Sequence, residues 1–283
     1  MTNNKLLFLI GLPGDKVLQH FSTYLCSTNS HIIFIDQNRI GKDIGLDLSY
    51  WHLPQLGKIS HSDITAVYAR CSTFQPGKHV HGIRKISNDL LVGLLDHYYS
   101  LVVNKPSAMM SNSSKPYQSY ILRDLPLEFP DYFCLANAKI KYIANNIIYK
   151  SISSIRSIVT TANSNSNNFV TEPVLFQQLI TGFNIRVHVI GEEIFACKIT
   201  SSKIDYRYAS NRFFQYNLPT KIKEICFLIS KRLELPFCGI DLIFSSNKYY
   251  FLEANPSPGF NYYEQYFTGK PISKALYKLM IGV

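Results

Sequence analysis

Near the C-terminal end, two acids and an amide are spaced for metal chemistry: Asp241, Glu253 and Asn255. They sit in Gly239-Ile240-Asp241-Leu242-Ile243-Phe244 and in Tyr249-Tyr250-Phe251-Leu252-Glu253-Ala254-Asn255-Pro256, on either side of the turn formers Ser245-Ser246-Asn247-Lys248. Two β-rich runs around such a corner predict a hairpin. Alternate strand residues share a face, which groups Asp241 with Gly239 and Ile243, and Glu253 and Asn255 with Tyr249 and Phe251. A three-residue loop, Ser246-Asn247-Lys248, would centre the pairing on Asn247 and set Asp241 opposite Glu253. Opposed carboxylates repel and call for a cation between them. Oxygen-only ligation with few carboxylates suits Mg²⁺, which takes its other ligands from water and substrate phosphates. The plainer reading has both acids capping or salt-bridging a solvated hairpin; the Asn255-Pro256 terminus and the basic residues upstream favour the metal.

The elements that must position this hairpin follow from the pattern upstream. Lys5 to Ile10 reads as a strand, Val17, Leu18, Phe21 and Leu25 as one face of a helix, and His31 to Ile35 as the next strand, a parallel α/β unit. The intervening Gly11-x-x-Gly14 lacks the full spacing of a dinucleotide fingerprint and reads as a plain strand-to-helix turn. Ile64 to Tyr68 is a third strand with Arg70 at its carboxyl end, where open α/β sheets bind ligands; a surface position is the equal alternative. Asp89 to Tyr99 reads as a helix, and Leu101 to Val103 as a strand leaving through Lys105-Pro106, where the first domain ends. Further on, Lys115-Pro116 opens a helix, and Asn146 to Lys150 is a strand with Lys150 at its end. Ser151 to Ser157 is a serine-rich turn, and Thr161 to Asn168 a low-complexity loop. Pro173 to Ile180 is a strand, and Ile185 to Ile190 with Glu193 to Ile199 form a hairpin that puts Arg186 and His188 on one face. Asp205 and Arg207 share a face in Lys203 to Tyr208; Thr220 to Leu235 and Pro271 to Met280 are helices. Pro256 to Tyr263 has two readings: an aromatic-lined loop beside a substrate, or core packing by Phe260 and Tyr263.

The bulk numbers agree with a globular protein. The 283 residues are 46% hydrophobic, enough for a real core. Leu6 to Leu12 is too short, and too soon broken by Pro13-Gly14, to act as a signal peptide, so no membrane partner is expected and a cytoplasmic location is. Six scattered cysteines without a C-x-x-C pair argue against zinc and against a disulfide framework. The formal charge of +10 falls mostly after residue 105, with the acid pair, and implies an anionic ligand. No lysine-rich tail, zinc finger or RNA-binding signature points to nucleic acid. Homo-oligomer formation is left open.

Taken in order, Lys115, Lys150, Gln177-Gln178-Leu179-Ile180, Asn184-Ile185-Arg186-Val187, Asp205-Tyr206-Arg207, Gly239-Ile240-Asp241 and Glu253-Ala254-Asn255-Pro256 resemble the ATP-grasp ligases, nearest the RimK-type and graspetide (microviridin-type) peptide ligases. The resemblance implies an α/β (α+β) ATP-grasp fold: a Rossmann-like pre-ATP-grasp domain over residues 1–105, a small central subdomain over 106–180 and a C-terminal subdomain with the Mg²⁺ site over 181–283. It implies ATP bound by Lys115, Lys150, Ser153, Arg156, Gln177, Gln178, Leu179, Ile180 and Asn184, with the Gln177 to Ile180 stretch at the adenine edge. It implies Mg²⁺, with Mn²⁺ as a substitute, on Asp241, Glu253 and Asn255, and Arg186 and Arg207 near the phosphates and the reacting carboxylate. The expected activity is ATP-dependent ligation of a peptide or amino-acid-like carboxylate to an amine or hydroxyl through an acyl phosphate, releasing ADP and phosphate. The alternatives are a small-molecule kinase and a nucleotide-binding partner protein with decayed chemistry. Three departures stand out: the loop after Lys150 has no glycine, Gln178 stands where many relatives carry an acid, and Asn184 where RimK-type enzymes carry Asp.

Overall fold

The computed structural model describes residues 5–71, 83–139, 146–152, 160–161, 169–201 and 211–283. The chain divides into two compact units, one made of residues 1–108, 235–237 and 259–283, the other of residues 109–234 and 238–258. Among the described residues, no helix is long and apolar enough to cross a membrane.

The first unit is built on a parallel sheet in the order His31–Asp36, Leu6–Gly11, Ile64–Arg70, Val102–Val103. Its second strand is an unbroken apolar run, and Leu7 to Ile10 are fully buried, as a strand covered on both faces requires. The turn out of that strand runs straight into helix Lys16–Leu25, capped by Asp15, whose Oδ1 accepts from the Val17 and Leu18 amides at 2.7 and 3.2 Å. Arg70 donates from Nε to the other oxygen of Asp15 at 2.9 Å, so at this strand end the guanidinium holds a helix cap. Gly11 is needed for closeness: a Cβ there would lie 2.5 Å from Leu18 Cδ1 and 3.0 Å from the Arg70 carbonyl oxygen. Asn104 pairs reciprocally with the Phe237 peptide, at 2.6 Å to its oxygen and 3.2 Å from its nitrogen. Phe260 is fully buried, with ring contacts to Phe21 and Phe237, and Tyr263 is buried too; of the two readings of Pro256 to Tyr263, core packing is the one found for these rings.

The second unit holds three sheets among the described residues, one of them the short antiparallel pair Ala138–Lys139 and Phe169–Val170. Another runs Thr160–Thr161, Ile147–Ser151, Val174–Gln178, Tyr132–Leu135, each pair antiparallel. The third has five strands in the order Asn211–Gln215, Glu193–Ser201, Phe183–Ile190, Phe237–Ser245, Lys248–Asn255. Helix Thr220–Arg232 buries Ile222, Ile225, Cys226 and Ile229, the expected stripe, and contacts strand Phe183–Ile190. Burial pushes the Cys238 thiol up to about 12, which leaves it an inert core residue.

The hairpin reaches the expected pairing by a different route. Ser245 pairs with Lys248, leaving a two-residue turn whose Ser246 and Asn247 take φ of 47° and 63°, both left-handed, as the turn that matches strand twist demands. The three-residue loop is thereby corrected. By itself this register would set Asp241 opposite Leu252, but a bulge between Asp241 and Leu242 leaves Leu252 as the extra residue and restores Asp241 opposite Glu253. The bulge also breaks the alternation: Phe251 pairs with the buried Leu242, not on the side of Glu253 where simple alternation groups it.

The first unit closes with helix Pro271–Ile281. The buried Glu264 carboxylate accepts there from the Ser273 amide and hydroxyl, both at 2.6 Å, and lies 2.5 Å from His20 Nε2. Removing it orphans a helix start, the buried Ser273 hydroxyl and the half-buried His20 ring. Glu264→Ala should lower the unfolding free energy by about 3 kcal/mol, read from the urea midpoint at unchanged slope.

Candidate active site

Asp241 and Glu253 face each other across the hairpin, and each meets a cation that is itself nearly buried. Arg186, on strand Phe183–Ile190, sets Nε 3.1 Å from Asp241 Oδ1 and donates from Nη1 to the Gly239 carbonyl at 3.3 Å. The guanidinium fits because residue 239 has no side chain: a Cβ would lie 2.6 Å from Arg186 Nη1 and 2.7 Å from Pro258 Cβ. Lys115, in the first turn of helix Lys115–Leu122, places Nζ 3.4 Å from Glu253 Oε2 and 3.4 Å from the Ser151 carbonyl, while its amide donates to the Ile152 carbonyl at 3.0 Å. That helix starts where it does because Ser114 caps it, accepting from the Tyr117 amide, and Pro116 suits the first turn. Neither the anchoring of Lys115 on Ser151 and Ile152 nor the clearance at Gly239 was foreseen; for the glycine, its place two residues before Asp241 on the same face was an available signal.

Lys150 is 6% exposed and sits on strand Ile147–Ser151 opposite Leu175, while Gln177 is opposite Ile148. Directly opposed residues share a side, so Lys150 and Gln177 line the same buried face. Gln177 Oε1 is buried with no hydrogen-bond partner among the described residues. Gln178 is exposed, and its amide donates to the Asp131 carbonyl at 2.8 Å; the Leu179 amide donates to the Asn146 carbonyl, also at 2.8 Å. The strand ends at Gln178, with Leu179 and Ile180 half-buried beyond it. Asn184 is half-buried and shares a face with Arg186. Ser153, Arg156 and Arg207 lie outside the described residues, as do Asp205 and Tyr206.

Burial by itself would raise the Glu253 carboxyl, but Lys115, Lys150 and Arg186 together hold it below the usual carboxylate range. The group is therefore an anion at neutral pH. Among the described residues, no three His, Cys, Asp or Glu side chains converge on one point, so a cation held here relies on the Asn255 amide as well as the two acids. Asn255 Oδ1 accepts from the Ser257 amide at 2.8 Å, which fixes its orientation. The two facing carboxylates and an oriented amide oxygen form an all-oxygen donor set, which fits Mg²⁺.

A sequence profile of the RimK-like ATP-grasp domain matches residues 135–279, slightly more than half of the chain. The chain belongs to the RimK-like ATP-grasp family. As an ATP-grasp ligase it has solved structural relatives along nearly its whole length. The macrocyclase MdnC of Microcystis aeruginosa MRC, bound with its precursor peptide MdnA, superposes with a TM-score of 0.78 at 19% identity, over 98% of this chain and 100% of that one. The ATP-grasp ligase PsnB, complexed with a minimal precursor, gives 0.77 at 23% identity over 96% and 98%. A RiPP-associated ATP-grasp ligase of Chryseobacterium gregarium, in complex with ADP and a leader and core peptide, gives 0.77 at 18% identity over 98% and 97%. At such identities the likeness is one of fold, and the fold is the α/β ATP-grasp architecture the motifs imply. A sequence search of curated proteins matched none. In this ATP-grasp ligase, Lys115 and its helix precede the profile match, whereas Lys150, Arg186 and the acid hairpin fall within it.

The lowered Glu253 carboxyl has a measurable sign. With the folded value below the unfolded one, its charge contributes stability above the ordinary carboxylate range and loses it as pH falls through the folded value. Glu253→Gln should remove this dependence, so that its urea midpoint drops less than the parent's between about pH 5 and pH 3.

Proposed function

We propose that this ligase activates a carboxylate on a peptide or amino-acid-like substrate and joins it to an amine or hydroxyl, with Mg²⁺ as its metal and Mn²⁺ as a substitute. The observation that carries the reading is the buried set of Lys115, Lys150 and Arg186 around the opposed Asp241 and Glu253. Among the described residues three cations stand against two carboxylates, a positive excess that suits the phosphates of ATP. Solved relatives bound to precursor peptides support a peptide as the carboxylate source. A cytoplasmic setting belongs to the same reading.

In this reading Lys115 and Lys150 are point charges on the phosphates. The Gln177 to Ile180 stretch borders adenine, and Gln177 Oε1, buried without a partner among the described residues, accepts from its amino group. Ser153, Arg156 and Asn184 complete the nucleotide contacts. Arg186 and Arg207 hold the reacting carboxylate and the phosphoryl oxygens through paired N–H donors. Asp241, Glu253 and Asn255 hold Mg²⁺, which when bound neutralises charge on the phosphates. The substrate carboxylate oxygen bonds to the γ-phosphorus as ADP leaves; the amine nitrogen or hydroxyl oxygen then bonds to the acyl carbon, phosphate leaves, and the attacking group gives up a proton. Such chemistry asks the protein mainly for position and charge.

Asp241→Asn keeps the size of the side chain but removes its charge. It should cut Mg²⁺-dependent ADP formation with the peptide substrate by at least about a hundredfold; undiminished turnover would refute the metal assignment. Gln177→Met should raise the KM for ATP about tenfold, the loss of one hydrogen bond of about 1.4 kcal/mol, with kcat retained in steady-state assays. Mass spectrometry of the product separates ligation from simple phosphoryl transfer, since only ligation joins the two substrates.

A further inference from the structure

Strand Lys248–Asn255 ends the five-strand order, so among the described residues one side of its backbone has no neighbouring strand. Two different groups occupy that side. Glu128 covers the middle, its amide donating to the Tyr249 carbonyl at 3.2 Å and its carbonyl accepting from the Phe251 amide at 2.9 Å. At Ala254, the residue between Glu253 and Asn255, the partner is a side chain. Gln118 donates from Nε2 to the Ala254 carbonyl at 2.8 Å and accepts at Oε1 from the Ala254 amide at 3.0 Å. Gln118 is fully buried, and Nε2 has one further contact, with Ser111 Oγ at 3.5 Å.

A primary amide is the one neutral side-chain group that offers a donor and an acceptor side by side, as a peptide group of a neighbouring strand would. Gln118 therefore completes the sheet at a single residue, and that residue separates two of the three oxygen donors. Rotation of the Ala254 peptide would turn the Glu253 and Asn255 side chains with it. The helix that carries Gln118 also carries Lys115, three residues earlier and on the same face, whose Nζ meets Glu253. One helical turn thus holds both the strand and the acid beside its cation.

We infer that Gln118 is a positioning residue for the metal-holding strand, an inference that rests on the assignment of Asp241, Glu253 and Asn255 to Mg²⁺. Through the Ala254 peptide it keeps the Glu253 and Asn255 oxygens aimed at one point, and it touches neither metal nor nucleotide.

The test is calorimetric titration of the full chain with ADP, without metal and at graded Mg²⁺. Gln118→Met keeps the length of the side chain and removes both hydrogen bonds. It should raise the Mg²⁺ concentration needed for half-maximal tightening of ADP about tenfold, while metal-free ADP affinity stays within about twofold of the parent's, a split that general destabilisation does not produce. Gln118→Glu, which turns the donor towards the Ala254 carbonyl into an acceptor, should shift the metal midpoint as far, and it carries the test if Gln118→Met does not fold. Superimposable metal titrations of parent and variants, or equal weakening with and without Mg²⁺, would overturn the inference alone. A parent whose ADP affinity ignores Mg²⁺ would overturn the metal assignment and this inference with it.

Discussion

A carboxylate taken out of water is costly unless a counter-charge and hydrogen bonds come with it, and two facing each other cost more. The hairpin of this ligase accepts that cost at Asp241 and Glu253. Much of the second unit is arranged around the answer: Arg186 from one strand, Lys150 from another sheet and Lys115 from a helix start, all nearly buried. Cations this deep are themselves unstable without anions. The three basic side chains hold the Glu253 carboxyl below the usual carboxylate range, and among the described residues they outnumber the two acids. In the function proposed for it, such a site is charged for phosphate before any phosphate arrives, which is what electrostatic preorganisation means in structural terms.

The first unit uses its acids differently. Asp15 and Glu264 each sit at the start of a helix, where backbone amides lack partners, and each gathers a basic side chain from elsewhere, Arg70 and His20. These pairs tie elements together and leave nothing over for a ligand in the contacts they make. The contrast between the units, among the described residues, is one of balance: one basic side chain to one acid at the helix caps, three to two at the hairpin.

Side-chain amides perform the finer work. Asn104 on the Phe237 peptide and Gln118 on the Ala254 peptide each copy the hydrogen bonds of an absent strand. Neither could be read from the sequence, because an Asn or Gln in a polar stretch looks the same whether it faces water or a backbone. Phe260 was ambiguous for a related reason: an aromatic after a proline-rich turn suits a substrate-facing loop as well as a core, and its neighbours Phe21 and Phe237 are distant in sequence.

What the sequence determined by itself was local. The hairpin, the strand-to-helix turn after Leu6–Gly11, the stripe of Thr220–Arg232 and the opposition of Asp241 to Glu253 follow from periodicity and turn residues a few positions apart. Even there the route differed, since a shorter turn and a bulge combine to give the pairing that a longer turn would have given directly. Only the tertiary structure decided which cations reach the acids, that Gly239 leaves room for the Arg186 guanidinium, and that Gln118 pairs with the Ala254 peptide between Glu253 and Asn255. Those contacts join residues far apart along the chain, and their energies depend on the burial and distance that packing alone sets.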